Sequence, residues 1–76
     1  MSVDRPALSS RQREVLCLLS HGKTAEEIGA DLGISPRTVR VHIDALKRKL
    51  GARRSRELPA AFRSLTGCDP MLLLDR

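Results

Sequence analysis

TAEEIGADLGISPRTVRVHIDALKRKL, residues 24–50, decides the fold of this 76-residue chain. Thr24 followed three positions later by Glu27 is a capping-box pattern, opening a helix over about 25–32. Glu26 and Glu27 fall in its first turn, where the helix dipole favours negative charge. Ile28 and Leu32 are spaced i, i+4 toward a core, and Gly33 stops the helix. Ser35-Pro36 then restarts it, with a hydroxyl cap before a proline at the first helical position. In this third helix, about 36–50, Val39, Ile43, Leu46 and Leu50 recur at +4, +3 and +4, one continuous stripe for burial. The other faces carry Arg37, Thr38, Arg40, Val41, Asp44, Lys47 and Arg48. Gly51 ends it. Two helices joined by about three residues around Gly33-Ile34 must cross sharply, which is the geometry of a helix-turn-helix.

Outward from this stretch, Ser9 with Gln12 repeats the capping box and opens a first helix over about 10–20. Val15, Leu16, Leu18 and Leu19 are its apolar stripe, Arg11, Arg13 and Glu14 its wet face, and Gly22 its stop. A fourth helix follows Ser55 and runs to about Leu65, with Pro59 tolerated in the first turn. Leu58, Ala61, Phe62 and Leu65 are its apolar set. Residues 1–7 read as a flexible lead-in, 8–66 as the domain with the helix-turn-helix at 24–43, and 67–76 as a tail ending in the apolar Met71–Leu74. With Phe62 the sole aromatic residue, the core must come from Leu, Ile, Val and Ala, which favours an all-α, four-helix fold over a sheet.

The net charge of +5 is concentrated in one segment. Residues 35–56 hold eight basic side chains against Asp44 alone, while the segments on either side are each slightly acidic. A basic surface of this kind suits a polyanion, because neutralising phosphates releases condensed counterions. It is equally compatible with a solvated cationic face. Enzyme chemistry is not expected: paired carboxylates, a nucleophile beside a base, and a glycine-rich phosphate loop are all missing. Cys17 and Cys68 lie far apart, with His21 and His42 elsewhere, so neither zinc nor a disulfide is expected. Cys17 reads as a buried free thiol, Cys68 as a loop residue. His21 reads as a helix-end residue bonding free carbonyls, and His42 as packed or phosphate-bonding. A signal peptide is not seen and Met71–Leu74 is too short to span a bilayer, so a cytoplasmic protein is expected.

Leu8-Ser9, Arg13-Glu14-Val15-Leu16, Leu18-Leu19, Gly22, Glu27-Ile28, Leu32-Gly33-Ile34-Ser35, Thr38-Val39-Arg40-Val41-His42, Lys49-Leu50-Gly51 and Ser55-Arg56 together resemble the LuxR-type helix-turn-helix DNA-binding domain, over about 8–65. The resemblance implies four helices, the third in the major groove and the fourth commonly at a homodimer contact. It implies that Arg40 faces a guanine and Val41 a thymine methyl, with Arg37 and Asp44 on the same reading surface. It implies phosphate contacts from Thr24, Ser35 and Thr38. Charge and position add Lys47, Arg48, Arg53 and Arg54, which orient the domain without reading sequence. Leu58, Ala61, Phe62 and Leu65 are the candidates for the dimer contact, with intradomain core as their competing role. Most LuxR-type domains are attached to a sensing module, for which this chain has no room, so a standalone form is expected.

Three positions depart from the pattern. Asp44 stands where a polar or basic residue is common; it either accepts from a cytosine amino group, repels phosphate, or, as the preferred reading, joins an Arg40–Asp44–Arg48 ladder of i, i+4 pairs. Ala45 replaces an asparagine. Gly29 replaces an alanine, at about 1 kcal/mol in helix propensity, and reads as a close approach of a neighbouring helix. The expected function is sequence-specific binding of double-stranded DNA by a transcription regulator. One small module buries limited DNA surface, so a homodimer on an inverted repeat is expected. The alternative is a protein-binding adaptor that docks on RNA polymerase or another regulator. No cofactor, metal, small-molecule ligand or membrane is expected in either case.

Overall fold

The computed structural model describes residues 7–73. The lead-in up to Pro6, and Leu74 at the end of the apolar tail, lie outside the described residues. Four helices follow one another: α1 (Ser10–Ser20), α2 (Ala25–Leu32), α3 (Pro36–Leu50) and α4 (Leu58–Thr66). Two 3-10 turns, Ser55–Glu57 and Pro70–Leu72, precede and follow α4. Among the described residues there is no strand, and the fold is all-α.

Each of the first three helices begins where a side chain caps its free N–H groups. Ser9 Oγ accepts from the Gln12 N–H at 3.1 Å while Gln12 Oε1 accepts from the Ser9 N–H at 3.0 Å. Thr24 and Glu27 make the same reciprocal pair at 3.1 and 2.9 Å. Ser35 Oγ accepts from the Thr38 N–H at 3.1 Å, with Pro36 opening α3. The expected starts and stops of α1, α2 and α3 are met. α4 differs: residues 55–57 wind as a 3-10 turn, and the α-helix proper starts at Leu58 with Pro59 in its first turn.

Val15 and Leu16 of α1, Ile28 of α2, Val39, Ile43, Leu46 and Leu50 of α3, and Leu58 and Phe62 of α4 form one buried core. α3 supplies four of these nine, so it is the central element against which the others pack, and its opposite face is left for solvent. Leu18, Leu19 and Leu32 lie at the margin of this core, half-buried.

The turn between α2 and α3 is shaped by two glycines. Gly33 takes φ +72°, a left-handed conformation that costs a side chain about 1–2 kcal/mol. Gly29 is buried, and a Cβ there would lie 2.6 Å from the Ile34 carbonyl oxygen. The close approach anticipated at Gly29 is therefore made by the backbone of the turn, not by another helix.

Residues 70–73 fold back instead of trailing away. Pro70 is buried, Leu73 packs against the core, and the Cys17 thiol donates to the Met71 carbonyl at 3.3 Å. Cys17 is thus a buried free thiol and Cys68 an exposed one. His21 Nδ1 sits 2.9 Å from the Cys17 carbonyl oxygen, in place to donate to that end-of-helix acceptor. No helix among the described residues is long and apolar enough to cross a membrane.

Candidate nucleic-acid interface

Burying Val39, Ile43, Leu46 and Leu50 turns the rest of α3 outward, because at 3.6 residues per turn the positions between them fall on the far side of the helix. Arg37, Thr38, Arg40, Val41, Asp44 and Arg48 are all exposed there. Val41 is 60% exposed, an apolar side chain set among charges with nothing of its own fold to cover it. A helix with its side chains is about 10–12 Å across, and the B-DNA major groove is about 12 Å wide.

The capping groups sit at the entrance of this face. Ser35 Oγ and Thr38 Oγ1 lie 3.0 Å apart, so one hydroxyl donates to the other and the second proton stays free for an outside acceptor. Thr24 accepts at its oxygen from the Glu27 N–H, which leaves its own O–H to donate. These hydroxyls occupy the positive ends of α2 and α3, where an anion is stabilised.

An open groove of about 390 Å³ joins the start of α2, the flank of α3 and the loop after it. Lys23, Thr24, Arg40, Asp44, Lys47 and Ser55 line it. It brings together Thr24 and Lys47, two of the residues assigned to phosphate, and adds Lys23 and Ser55, to which the sequence reading gave no ligand role. Lys23 is held by Asp31 at 2.7 Å, and that hydrogen-bonded carboxylate raises its pKa above the ordinary lysine value. Its partner lies eight positions away on another element, so no helical spacing announces it.

The ladder Arg40–Asp44–Arg48 is not formed. Arg40 turns instead toward α2, its Nη2 donating to Glu26 Oε2 at 2.7 Å, and Asp44 lies 3.5 Å from Lys47 Nζ. Arg40 finds a carboxylate across the turn and Asp44 a cation three residues on, so the i, i+4 pairing is not used. Among the described residues Arg37, Arg48, Arg53 and Arg54 make no ion pair. Lys49 faces elsewhere: it donates to the Ala7 carbonyl at 2.6 Å and to Gln12 Oε1 at 2.9 Å, tying α3 to the start of α1.

Arg53 and Arg54 stand on a short loop whose backbone is pinned by one carboxylate. Glu57 Oε1 accepts from the Arg53 N–H at 3.0 Å and the Arg54 N–H at 3.3 Å. These backbone donors lower the Glu57 pKa below its ordinary value. A lowered folded-state pKa means the contribution is present above the unfolded value, about 4.3, and is lost as pH falls through the lower folded value. Amide exchange should therefore show Arg53 and Arg54 protected at neutral pH and released in acid, with Glu57→Gln removing that pH step. Glu57→Ala should also weaken binding to every duplex by about two- to fivefold, through loss of a preordered loop.

The four dimer-contact candidates separate. Leu58 is fully buried and Phe62 is 6% exposed, so both belong to the domain's own core and are removed from that surface. Residues i and i+4 of a nine-residue helix share one face, and α4 needs that face to dock on α1 and α3. Ala61 is half-buried, and Leu65 is exposed.

Comparison with known proteins agrees with this arrangement. The sequence pattern of the bacterial regulatory proteins of the luxR family matches residues 6–60. The chain is 54% identical over 46 residues to the transcriptional activator protein SolR of Ralstonia nicotianae, covering 60% of this chain and 20% of SolR. It is 47% identical over 47 residues to the putative HTH-type transcriptional regulator YhjB of Escherichia coli, covering 62% of this chain and 24% of YhjB. It is 47% identical over 49 residues to the spore germination protein GerE of Bacillus subtilis, covering 64% of this chain and 66% of GerE. The chain thus spans a fifth to a quarter of the first two relatives and just under two thirds of the third.

Proposed function

This chain belongs to the luxR family of bacterial regulatory proteins, and from that premise we propose that it binds double-stranded DNA sequence-specifically as a transcription regulator. The family is one of regulators, not of enzymes. The observation that carries the reading is the division of α3: a buried apolar stripe on one side, and an exposed cationic face with a bare Val41 on the other.

In this reading α3 enters the major groove and residues 8–66 are the binding unit. Arg40 donates to guanine O6 and N7, Val41 meets a thymine methyl, and Arg37 and Asp44 border the same bases. Thr24, Ser35, Thr38, Lys47, Arg48, Arg53 and Arg54 hold phosphates and set the register. Two copies bind an inverted repeat through α4, and with Leu58 and Phe62 inside the core that contact falls to Ala61 and Leu65. The protein acts in the cytoplasm, where the DNA is.

Selection of bound duplexes from a random pool tests this. A palindromic consensus supports the dimer, a single half-site leaves DNA binding by one copy, and no enrichment over random sequence overturns the proposal. Within the selected site, Arg40→Ala is expected to cost about 1–3 kcal/mol and relax preference at one base pair. An equal loss on specific and random duplexes would contradict base reading by Arg40.

A further inference from the structure

We propose that Glu26 determines the specificity of the reading face by holding the Arg40 guanidinium, an inference that rests on the DNA-binding function above. The pair joins the first turn of α2 to the middle of the outward face of α3, 14 residues apart in sequence. The bond is 2.7 Å long, and both side chains are more than half exposed. Asp44, one helical turn from Arg40, is the other carboxylate on this face, and it stands beside Lys47 instead. Arg40 is therefore restrained from α2 alone, by a group that itself faces the approaching DNA.

A guanidinium carries five N–H donors in a rigid planar fork. The bond to Glu26 engages Nη2 and leaves donors enough for the two acceptors that guanine presents in the major groove. Arg40 can thus bind guanine while remaining on Glu26, with its plane already set. No other base edge offers that pair of acceptors in the major groove: adenine sets N7 beside a donor, thymine offers one oxygen, and cytosine a donor. A guanidinium held in this plane gains at most one acceptor there, and if it swings away to a phosphate the Glu26 carboxylate is left unpaired beside the negative duplex. An exposed ion pair is weak in isolation, so Arg40 is not locked. The pair acts by making guanine the partner that uses the most donors without breaking it.

The test is a comparison of Glu26→Gln with the unaltered chain on two duplexes: the selected site, and the same site with the base pair read by Arg40 exchanged. Glu26→Gln should tighten binding to the exchanged duplex several-fold and leave the selected one equal or weaker. The ratio of the two affinities should fall about tenfold, the size of one weak discrimination step. The same substitution in an Arg40→Ala background should leave the ratio unchanged. A Glu26→Gln protein that tightens on both duplexes by one factor, or that changes the ratio equally without Arg40, overturns the proposal while leaving DNA binding intact. An unaltered chain that discriminates no duplex overturns the underlying function as well. Thermal melting, expected to be unchanged for an exposed pair, separates either result from loss of folding.

Discussion

Raising the salt concentration from 50 to 200 mM should weaken DNA binding by about 150-fold if one copy binds and by about 2 × 10⁴-fold if two bind together. The figures come from the cations alone. Thr24, Ser35 and Thr38 contact phosphate through neutral hydroxyls and release no counterions. Lys47, Arg48, Arg53 and Arg54 do, and at about −0.9 per phosphate neutralised they give a log–log slope of about −3.6 per copy. Lys47 lies 3.5 Å from Asp44, but a partly exposed pair of this kind opens readily against a phosphate. Isothermal titration or fluorescence anisotropy over a salt series reads the slope directly, and its value counts copies on the duplex. A slope shallower than about −2 would mean that the basic segment does not face the backbone, since fewer than three phosphates would be engaged. A partner held by apolar contact, such as a docking surface on RNA polymerase, would show almost no slope at all.

The residues that make this prediction possible were visible in the sequence because they obey short-range rules. Ser9 with Gln12, Thr24 with Glu27, and Ser35 with Pro36 announce helix starts within four residues. The stripe from Val39 to Leu50 announces which side of α3 is buried, and so which side remains for a ligand. What stayed hidden depends on separations that no local rule covers. The ladder Arg40–Asp44–Arg48 satisfied the i, i+4 spacing, yet Arg40 pairs with Glu26 because the sharp α2–α3 crossing brings that carboxylate to 2.7 Å. Glu26 had a sufficient local explanation as a first-turn acid, so nothing in its neighbourhood pointed across the turn. Lys49 contributes to the basic segment by count but not by direction, since it reaches back to Gln12 and Ala7. Leu58 and Phe62 show the same limit from the apolar side. Periodicity says that they share a face with one another, whereas burial decides whether that face meets its own domain or a second copy.

Leu46→Ala is expected to be the most damaging single substitution in the chain, and its consequence for DNA binding should be indirect. Leu46 is fully buried in the C-terminal half of α3, and truncating such a side chain costs about 2–5 kcal/mol through lost transfer energy and the cavity left behind. A domain of 76 residues has about 4–11 kcal/mol in total at the usual stability per residue. The loss is therefore comparable with everything that holds the fold together. For this size it corresponds to a fall in melting temperature of about 8–40 °C. α3 should lose its shape before it loses its contacts, so weak binding by Leu46→Ala and by Arg40→Ala will look alike at one duplex concentration and differ when the duplex is raised. Duplex binds only the folded form, and at a hundred times its dissociation constant it restores about 2.7 kcal/mol. Helical circular dichroism of Leu46→Ala should recover as duplex is added, whereas Arg40→Ala should be fully helical throughout. A Leu46→Ala protein that melts like the unaltered chain would mean that the buried stripe of α3 is not what positions its outward face.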